Sequence, residues 1–236
     1  MDGPTEVLAE TRVTLEAPER AVWWERTTPP GDYDNTRACG GPPLGCAELL
    51  PYRWERVGAG RRLRRAWTVG THPLLATDGP KPPDDAVPHM VVVRPADTYV
   101  GYASELLGVP FVLTPARLDR GHQTDLREAA DCVAVVIYGR RRMGEEVPYV
   151  SPHGLWSFLE PADDLPAEAG DVLHWGWQTG ILAVDTAPFG VLDATDRVLL
   201  AWRGEVEEAA LGDLPRFGEV RRLRWPVSPA RGAGSP

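Results

Sequence analysis

The sequence predicts an α+β fold in which one buried helix packs against an antiparallel sheet. The helix is expected from about residue 130 to 143, because Val133–Tyr138 is apolar on every helical face and Gly144 follows as a stop signal. After Gly170 the pattern changes to short apolar runs separated by turn residues, which is typical of hairpin-linked strands. A helix that is apolar all round needs a sheet to cover it, so the two patterns together favour the α+β class.

The first part of the chain is predicted to be a smaller β-rich domain, residues 1–88. Short runs of strand-forming residues, the clearest of them alternating between polar and apolar side chains, are separated there by turn residues. The runs are Thr11–Glu16, Ala21–Glu25 and Arg65–Val69. The segment TDGPKPPDDAVP, residues 77–88, is dense in proline and charge and therefore indicates a linker to the next domain.

The second part, residues 89–228, is predicted to contain the central helix and the sheet. A shorter helix precedes them, because Asp97 or Thr98 can cap it and Gly108 ends it before Pro110. The expected strands of the sheet are Asp171–Trp175, Gln178–Val184, Gly190–Asp193 and Arg197–Trp202.

Composition and charge argue against several functional classes. With 25 Lys and Arg against 34 Asp and Glu, the net charge of −9 is atypical of a nucleic-acid-binding protein. No apolar run approaches the roughly 18 residues of a membrane-spanning helix. The start MDGPTEVLAE does not have the pattern of a signal peptide. The expected envelope or secreted location therefore requires that such a peptide was trimmed before this start. The arginine clusters Arg61–Arg65 and Arg140–Arg142 are interpreted as solvated surface, and the tail, residues 229–236, is expected to be disordered.

The three cysteines divide into a pair and a single residue. Cys39 and Cys46 flank the turn-rich GGPPLG and are interpreted as a disulfide that closes a short loop; the alternative is two unpaired thiols. A disulfide is typical of oxidising compartments, which indicates an envelope or secreted location. No second Cys or His pair stands at ligand spacing, so neither a metal site nor a cofactor is predicted. Cys132 is left over and needs another explanation.

Cys132 follows Asp131 at the predicted beginning of the central helix, which Asp131 is expected to cap. The partial positive charge of a helix N-terminus lowers the pKa of a cysteine, so the sequence predicts a thiolate nucleophile. A general base must approach from another element. His174 lies in the predicted strand Asp171–Trp175, on the same face as Val172. If that face meets the helix, His174 can accept the proton; otherwise it is a core or edge histidine.

Three segments between Thr98 and Trp202 occur in an order shared with a known family. They are ASELLGVPFV at 103–112, DCVAVVIYGRRRMGEEVP at 131–148, and AGDVLHW followed by QTGILAV within 169–184. Their order and spacing resemble those of NlpC-type papain-like cell-wall peptidases, over less than half of the chain.

This resemblance implies a papain-like (NlpC-type) core in which Cys132 attacks an amide carbonyl, commonly in peptidoglycan stem peptides, and forms a thioester. Substrate contacts would then come from Gln178, Phe111 and His122, the last of which can close over the site. The sequence departs from the family where its histidine is replaced by Gln178, since glutamine cannot act as a general base. His174 would have to take over that role.

Two functions are therefore predicted. The first is an envelope or secreted cysteine-dependent hydrolase that acts on peptidoglycan or another peptide substrate through Cys132 and His174. The alternative, which Gln178 favours, is a catalytically inactive module of the same fold that binds cell-wall glycopeptide or a protein partner.

Overall fold

Two β-sheets contain most of the regular structure, and the longest helix lies against the second of them. The computed structural model describes residues 3–28, 52–83, 86–202, 204–215 and 218–226. Within these residues the fold is mixed α+β, with far more strand than helix. The predicted disulfide between Cys39 and Cys46 and the predicted tail at 229–236 lie outside the described residues.

The first sheet is built by the N-terminal part of the chain. The strands described there are β1 (Thr5–Leu8), β2 (Val13–Glu16), β3 (Val22–Thr27), β4 (Arg53–Ala59), β5 (Arg62–Arg65), β6 (Gly70–Thr77) and β7 (His89–Arg94). The sheet order is β1-β7-β6-β3-β4, and β2 pairs separately with β5. Strand β7 begins just past the predicted boundary at residue 88 and pairs with both β1 and β6. The first sheet therefore takes an inner strand from the part predicted as the second domain.

The N-terminal strands agree with the sequence prediction in two of three places. Strands β2 and β3 cover the first two predicted runs. The third run, Arg65–Val69, is wrong as a strand and instead joins β5 to β6. Trp67 turns into the core there, with its ring centroid 5.2 Å from that of His72 and 4.2 Å from the Arg65 guanidinium carbon.

The second part contains the helices and an antiparallel sheet. Its described elements are α1 (Tyr99–Ala103), β8 (Arg117–Leu118), β9 (Gly121–His122), α2 (Cys132–Arg142), α3 (Pro152–Leu155), β10 (Glu160–Pro161), β11 (Val172–Trp175), β12 (Gln178–Val184), β13 (Arg197–Trp202), β14 (Glu205–Ala210) and β15 (Arg221–Arg224). The sheet order is β10-β15-β11-β12-β13-β14, and β8 pairs only with β9. Among the described residues, no helix has both the length and the apolar character needed to cross a membrane.

The predicted strand Gly190–Asp193 is wrong, because this segment forms a loop. The buried carboxylate of Asp196 accepts hydrogen bonds from the backbone N–H groups of Asp193 and Thr186, both at 2.8 Å. A side-chain acceptor of this kind satisfies backbone donors that a strand would otherwise use in a ladder. The aspartates of this segment therefore act as turn residues.

Helix α2 packs against β12 and β13 on one face of the second sheet. Val133–Tyr138 is buried, and Val172, Ile181 and Leu199 face it from the sheet. The opposite face buries a separate cluster that includes Leu173. Successive residues of these strands therefore point alternately toward α2 and away from it.

Helix α1 lies close against α2 at Gly139. A Cβ atom on Gly139 would lie 2.8 Å from both the ring and the backbone oxygen of Tyr99. The Tyr99 ring is held in place, because its hydroxyl donates a hydrogen bond to the carbonyl oxygen of Val136 at 3.0 Å. This contact leaves no space for a larger residue.

We expect Gly139→Ala to lower the free energy of unfolding by about 1–3 kcal/mol, the usual cost of overpacking a tight core. Urea denaturation followed by circular dichroism measures this. Gly79→Ala is the control, since a Cβ there has nothing within 4 Å. Equal losses in the two variants would contradict the packing argument.

Candidate functional site

Asp131 caps helix α2, as the sequence predicts, and makes Cys132 its first residue. Asp131 Oδ1 accepts a hydrogen bond from the backbone N–H of Ala134 at 2.7 Å. Its Oδ2 accepts another from the backbone N–H of Thr114 at 3.2 Å. The cap therefore also ties the preceding loop to the beginning of the helix.

Cys132 lies on the wall of a cleft of about 1400 Å³. Phe111 and His122 line the same cleft, so the fold brings together three of the five residues that the sequence singles out as catalytic or substrate-binding. His174 and Gln178 are not among the described residues that line it.

The Cys132 thiol is buried, with 7% of the residue exposed. Burial and the neighbouring charge of Asp131 raise the pKa of Cys132 to about 12, although backbone N–H groups of Thr179 and Val133 act in the opposite direction. The sequence predicts a lowered pKa from the helix N-terminus. That expectation fails because desolvation of a thiolate outweighs the helix dipole at this depth.

His174 lies on the α2 side of the sheet, as strand alternation predicts, but it does not hydrogen-bond to Cys132. Its Nδ1 lies 3.2 Å from the hydroxyl of Thr179, which is its partner across β11 and β12. The edge of its ring meets Trp156, with 4.9 Å between centroids. Burial lowers the pKa of His174. Thr179 therefore contacts both groups, with its hydroxyl at His174 and its backbone N–H at the Cys132 thiol.

Gln178 lies on the face of the sheet opposite α2. It precedes Leu182 by an even number of residues in β12, and Leu182 belongs to the core cluster of that face. Its Nε2 donates a hydrogen bond to the carbonyl oxygen of Ala201 at 3.0 Å, and 1% of the residue is exposed. The geometry therefore gives Gln178 a structural partner and no access to the cleft.

His122 packs flat against Tyr149 in the cleft wall, with ring centroids 3.7 Å apart and an interplanar angle of 13°. The Tyr149 hydroxyl donates a hydrogen bond to Asp125 at 2.7 Å. Asp125 in turn accepts two hydrogen bonds from the Arg141 guanidinium, at 3.1 and 2.9 Å. These four residues make a fixed aromatic and charged wall.

Burial lowers the pKa of His122 to about 4, with the charges of Arg141 and Arg117 acting in the same direction and Asp125 opposing them. His122 Nδ1 also accepts a hydrogen bond from the backbone N–H of Thr124 at 3.2 Å. The ring is therefore neutral near neutral pH, and its Nδ1 is already occupied.

The prediction that Arg140–Arg142 is a solvated face is wrong. Arg140 pairs with Glu145, Arg141 with Asp125, and Arg142 with Glu6 and Glu105. Sequence reasoning also missed Arg141 as a residue of the cleft. Its helical spacing from Ala134 and Tyr138 could have indicated it, since the three lie on one face of α2 and all line the cleft. Their partners come from distant segments, and no local pattern in the sequence indicates them.

Two cleft residues have a backbone conformation that non-glycine residues rarely adopt. Thr114 and Arg127 have φ angles of 60° and 58°, and they are two of the three non-glycine residues with positive φ in the described chain. Such conformations persist only where the surroundings impose them, and they are most frequent at functional sites. Together with its size, this strain makes the cleft the candidate functional site.

Comparison with protein-family models, with curated proteins and with solved structures found no match. The resemblance to NlpC-type peptidases therefore rests on the three sequence segments alone. Among the described residues, no group of three or more Cys, His, Asp or Glu side chains is placed to hold a metal ion.

Proposed function

We propose that this chain is a non-catalytic binding module whose cleft holds an extended peptide or glycopeptide. One observation carries the proposal: the cleft is large, but the Cys132 thiol on its wall is buried and its pKa is raised to about 12. A thiol protonated at neutral pH, with no hydrogen-bonded imidazole among the described residues, is a poor nucleophile. The cleft therefore binds its ligand, and Cys132 breaks no bond in it.

The lining of the cleft suits an extended peptide. Four prolines and several aromatic rings provide flat apolar surface, and both signs of charge lie between them. Trp177, at the turn between β11 and β12, is 54% exposed and has its ring 5.6 Å from that of Trp202. Aromatic grooves of this kind hold extended chains through ring contacts and a few hydrogen bonds. The resemblance to cell-wall peptidases makes peptidoglycan stem peptide in the envelope the first ligand to test.

We expect Cys132→Ala to bind purified peptidoglycan as well as the wild type does, because the buried thiol has no role in binding. Trp177→Ala should weaken binding about tenfold or more, since it removes an exposed aromatic contact. Sedimentation with sacculi measures both, and mass spectrometry of the released fragments shows whether any bond is cleaved.

Trp156→Ala is the matched control, because Trp156 is 38% exposed and is not among the described residues that line the cleft. Loss of binding in this variant equal to that in Trp177→Ala would argue against the cleft as the binding site. Cleavage of sacculi by the wild type and not by Cys132→Ala would overturn the non-catalytic proposal.

A thiol hydrolase is the second candidate, and the position of Cys132 favours it. Cys132 is the first residue of α2, and His174 hydrogen-bonds to Thr179, whose backbone N–H acts on the thiol. In that mechanism the sulfur gives its proton to His174, forms a thioester with the substrate carbonyl and releases an amine, which takes the proton; water then frees the acid. Loss of cleavage in both Cys132→Ala and His174→Ala would support this function.

A further inference from the structure

The cleft contains an arginine that has no partner in the described part of the chain. Four arginines line the cleft, and carboxylates hold three of them: Asp125 holds Arg141, and Glu105 holds Arg127 and Arg142. Arg117 is exposed, and no hydrogen bond, ion pair or ring contact joins its side chain to any described residue. Its donors are therefore available to a ligand.

Arg117 lies directly beside the aromatic wall. It is the partner of His122 across β8 and β9, and residues opposite each other in an antiparallel pair share a face. The His122 ring is itself stacked on the Tyr149 ring, with 3.7 Å between the ring centroids. The Arg117 side chain thus leaves the hairpin on the same face as a stack of two flat rings.

We propose that Arg117 binds a carboxylate of the peptide that occupies the cleft, while His122 and Tyr149 contact the uncharged chain next to it. This inference rests on the proposed binding function. The five donors of a guanidinium match the two oxygens of a carboxylate in a planar, bidentate arrangement. Because His122 is neutral, it neither attracts an anion nor repels a cation. The preference for a carboxylate over an uncharged group therefore comes from Arg117.

The test follows the His122 ring by ¹H–¹³C NMR during pH titration at constant ionic strength. The probes are N-acetyl-Ala-Ala with a free carboxylate, the same dipeptide as its C-terminal amide, and inorganic phosphate. We expect the acid to raise the pKa of His122 from its value of about 4, because a bound anion stabilises the imidazolium, and the amide to leave it unchanged. A response to phosphate without one to the acid, or equal responses to acid and amide, would overturn the assignment.

Two arginine variants complete the experiment. Arg117→Gln should abolish the response and weaken binding of the acid about tenfold or more, the usual range for a charge-assisted hydrogen bond. Arg120→Gln, on the same hairpin, should respond like the wild type, because Arg120 is paired with Glu128 outside the cleft. Peptidoglycan binding is measured separately: if it persists in full in Arg117→Gln, the carboxylate assignment fails and the binding function stands.

Discussion

Glu105→Gln is expected to lower the free energy of unfolding by about 3–5 kcal/mol, the range for breaking a buried ion pair by removing one partner. Glu105 is fully buried, and its carboxylate accepts hydrogen bonds from Arg94, Arg127 and Arg142 at 3.0–3.2 Å and from the Tyr138 hydroxyl at 2.6 Å. Without the carboxylate, these positive charges lie close together with too little negative charge between them.

The same network joins distant parts of the chain. Glu6 of β1 also pairs with Arg127 and Arg142, while Arg94 comes from the end of β7. Loss of Glu105 therefore weakens the attachment of the first sheet to α2 and to Arg127 in the lining of the cleft. Urea denaturation measures the effect. Glu16→Gln is the control, because Glu16 pairs with Arg62 at the surface, where half of its side chain is exposed.

Acid should reproduce part of this effect. Burial alone raises the pKa of Glu105, but hydrogen bonds from Tyr138 and Arg142 and the charges of the arginines outweigh it and hold the pKa below its ordinary value. The carboxylate's contribution is therefore complete above the ordinary glutamate pKa of about 4.3 and is lost as the pH falls below it. Glu105→Gln should lose less stability between pH 5 and 3 than the wild type, on the order of 1 kcal/mol or more.

Glu25 should add to the acid sensitivity that remains. Burial raises its pKa, but hydrogen bonds and charge from His72 and Arg65 lower it to about 2 overall. Both carboxylates therefore contribute to the free energy of unfolding above their ordinary pKa, and both contributions decline as the pH falls from 5 toward 3. An identical decline in wild type and Glu105→Gln would contradict the assignment to Glu105.

Cys132 is expected to react with iodoacetamide about a thousandfold more slowly at pH 8 in the folded protein than in the urea-unfolded chain. With a pKa of about 12, about one thiol in ten thousand is ionised at that pH. An ordinary cysteine, with a pKa of about 8.5, is about one-quarter ionised. The rate in the folded protein should continue to rise with pH beyond 10, because the thiol is still mostly protonated there.

Peptide mapping by mass spectrometry separates the labelling of Cys132 from that of Cys39 and Cys46. The unfolded chain is the control for the intrinsic reactivity of the same cysteine. Fast labelling of the folded protein that reaches a plateau below pH 7 would mean that the fold stabilises the thiolate. That outcome would favour the hydrolase as the function of the cleft and remove the main support for a non-catalytic module.

The local elements of this protein could be predicted from the sequence, because short-range chemistry specifies them. Asp131 begins α2 by capping backbone N–H groups, and Thr98 does the same for α1. Strand alternation correctly places His174 on the same face as Val172. The strand prediction fails at Gly190–Asp193, where the backbone N–H of Asp193 donates to the Asp196 carboxylate and that of Gly190 to Asp185.

What the candidate site can do was decided only by the tertiary structure. A thiol at a helix N-terminus is expected to ionise, but the pKa of Cys132 depends on how deeply other segments bury it, and burial prevails. The same holds for Arg117 and Arg141, which look alike in the sequence: Asp125 pairs with one, and the described chain leaves the other unpaired. Ionisation and pairing are set by neighbours brought together in space, and the order of residues along the chain does not specify them.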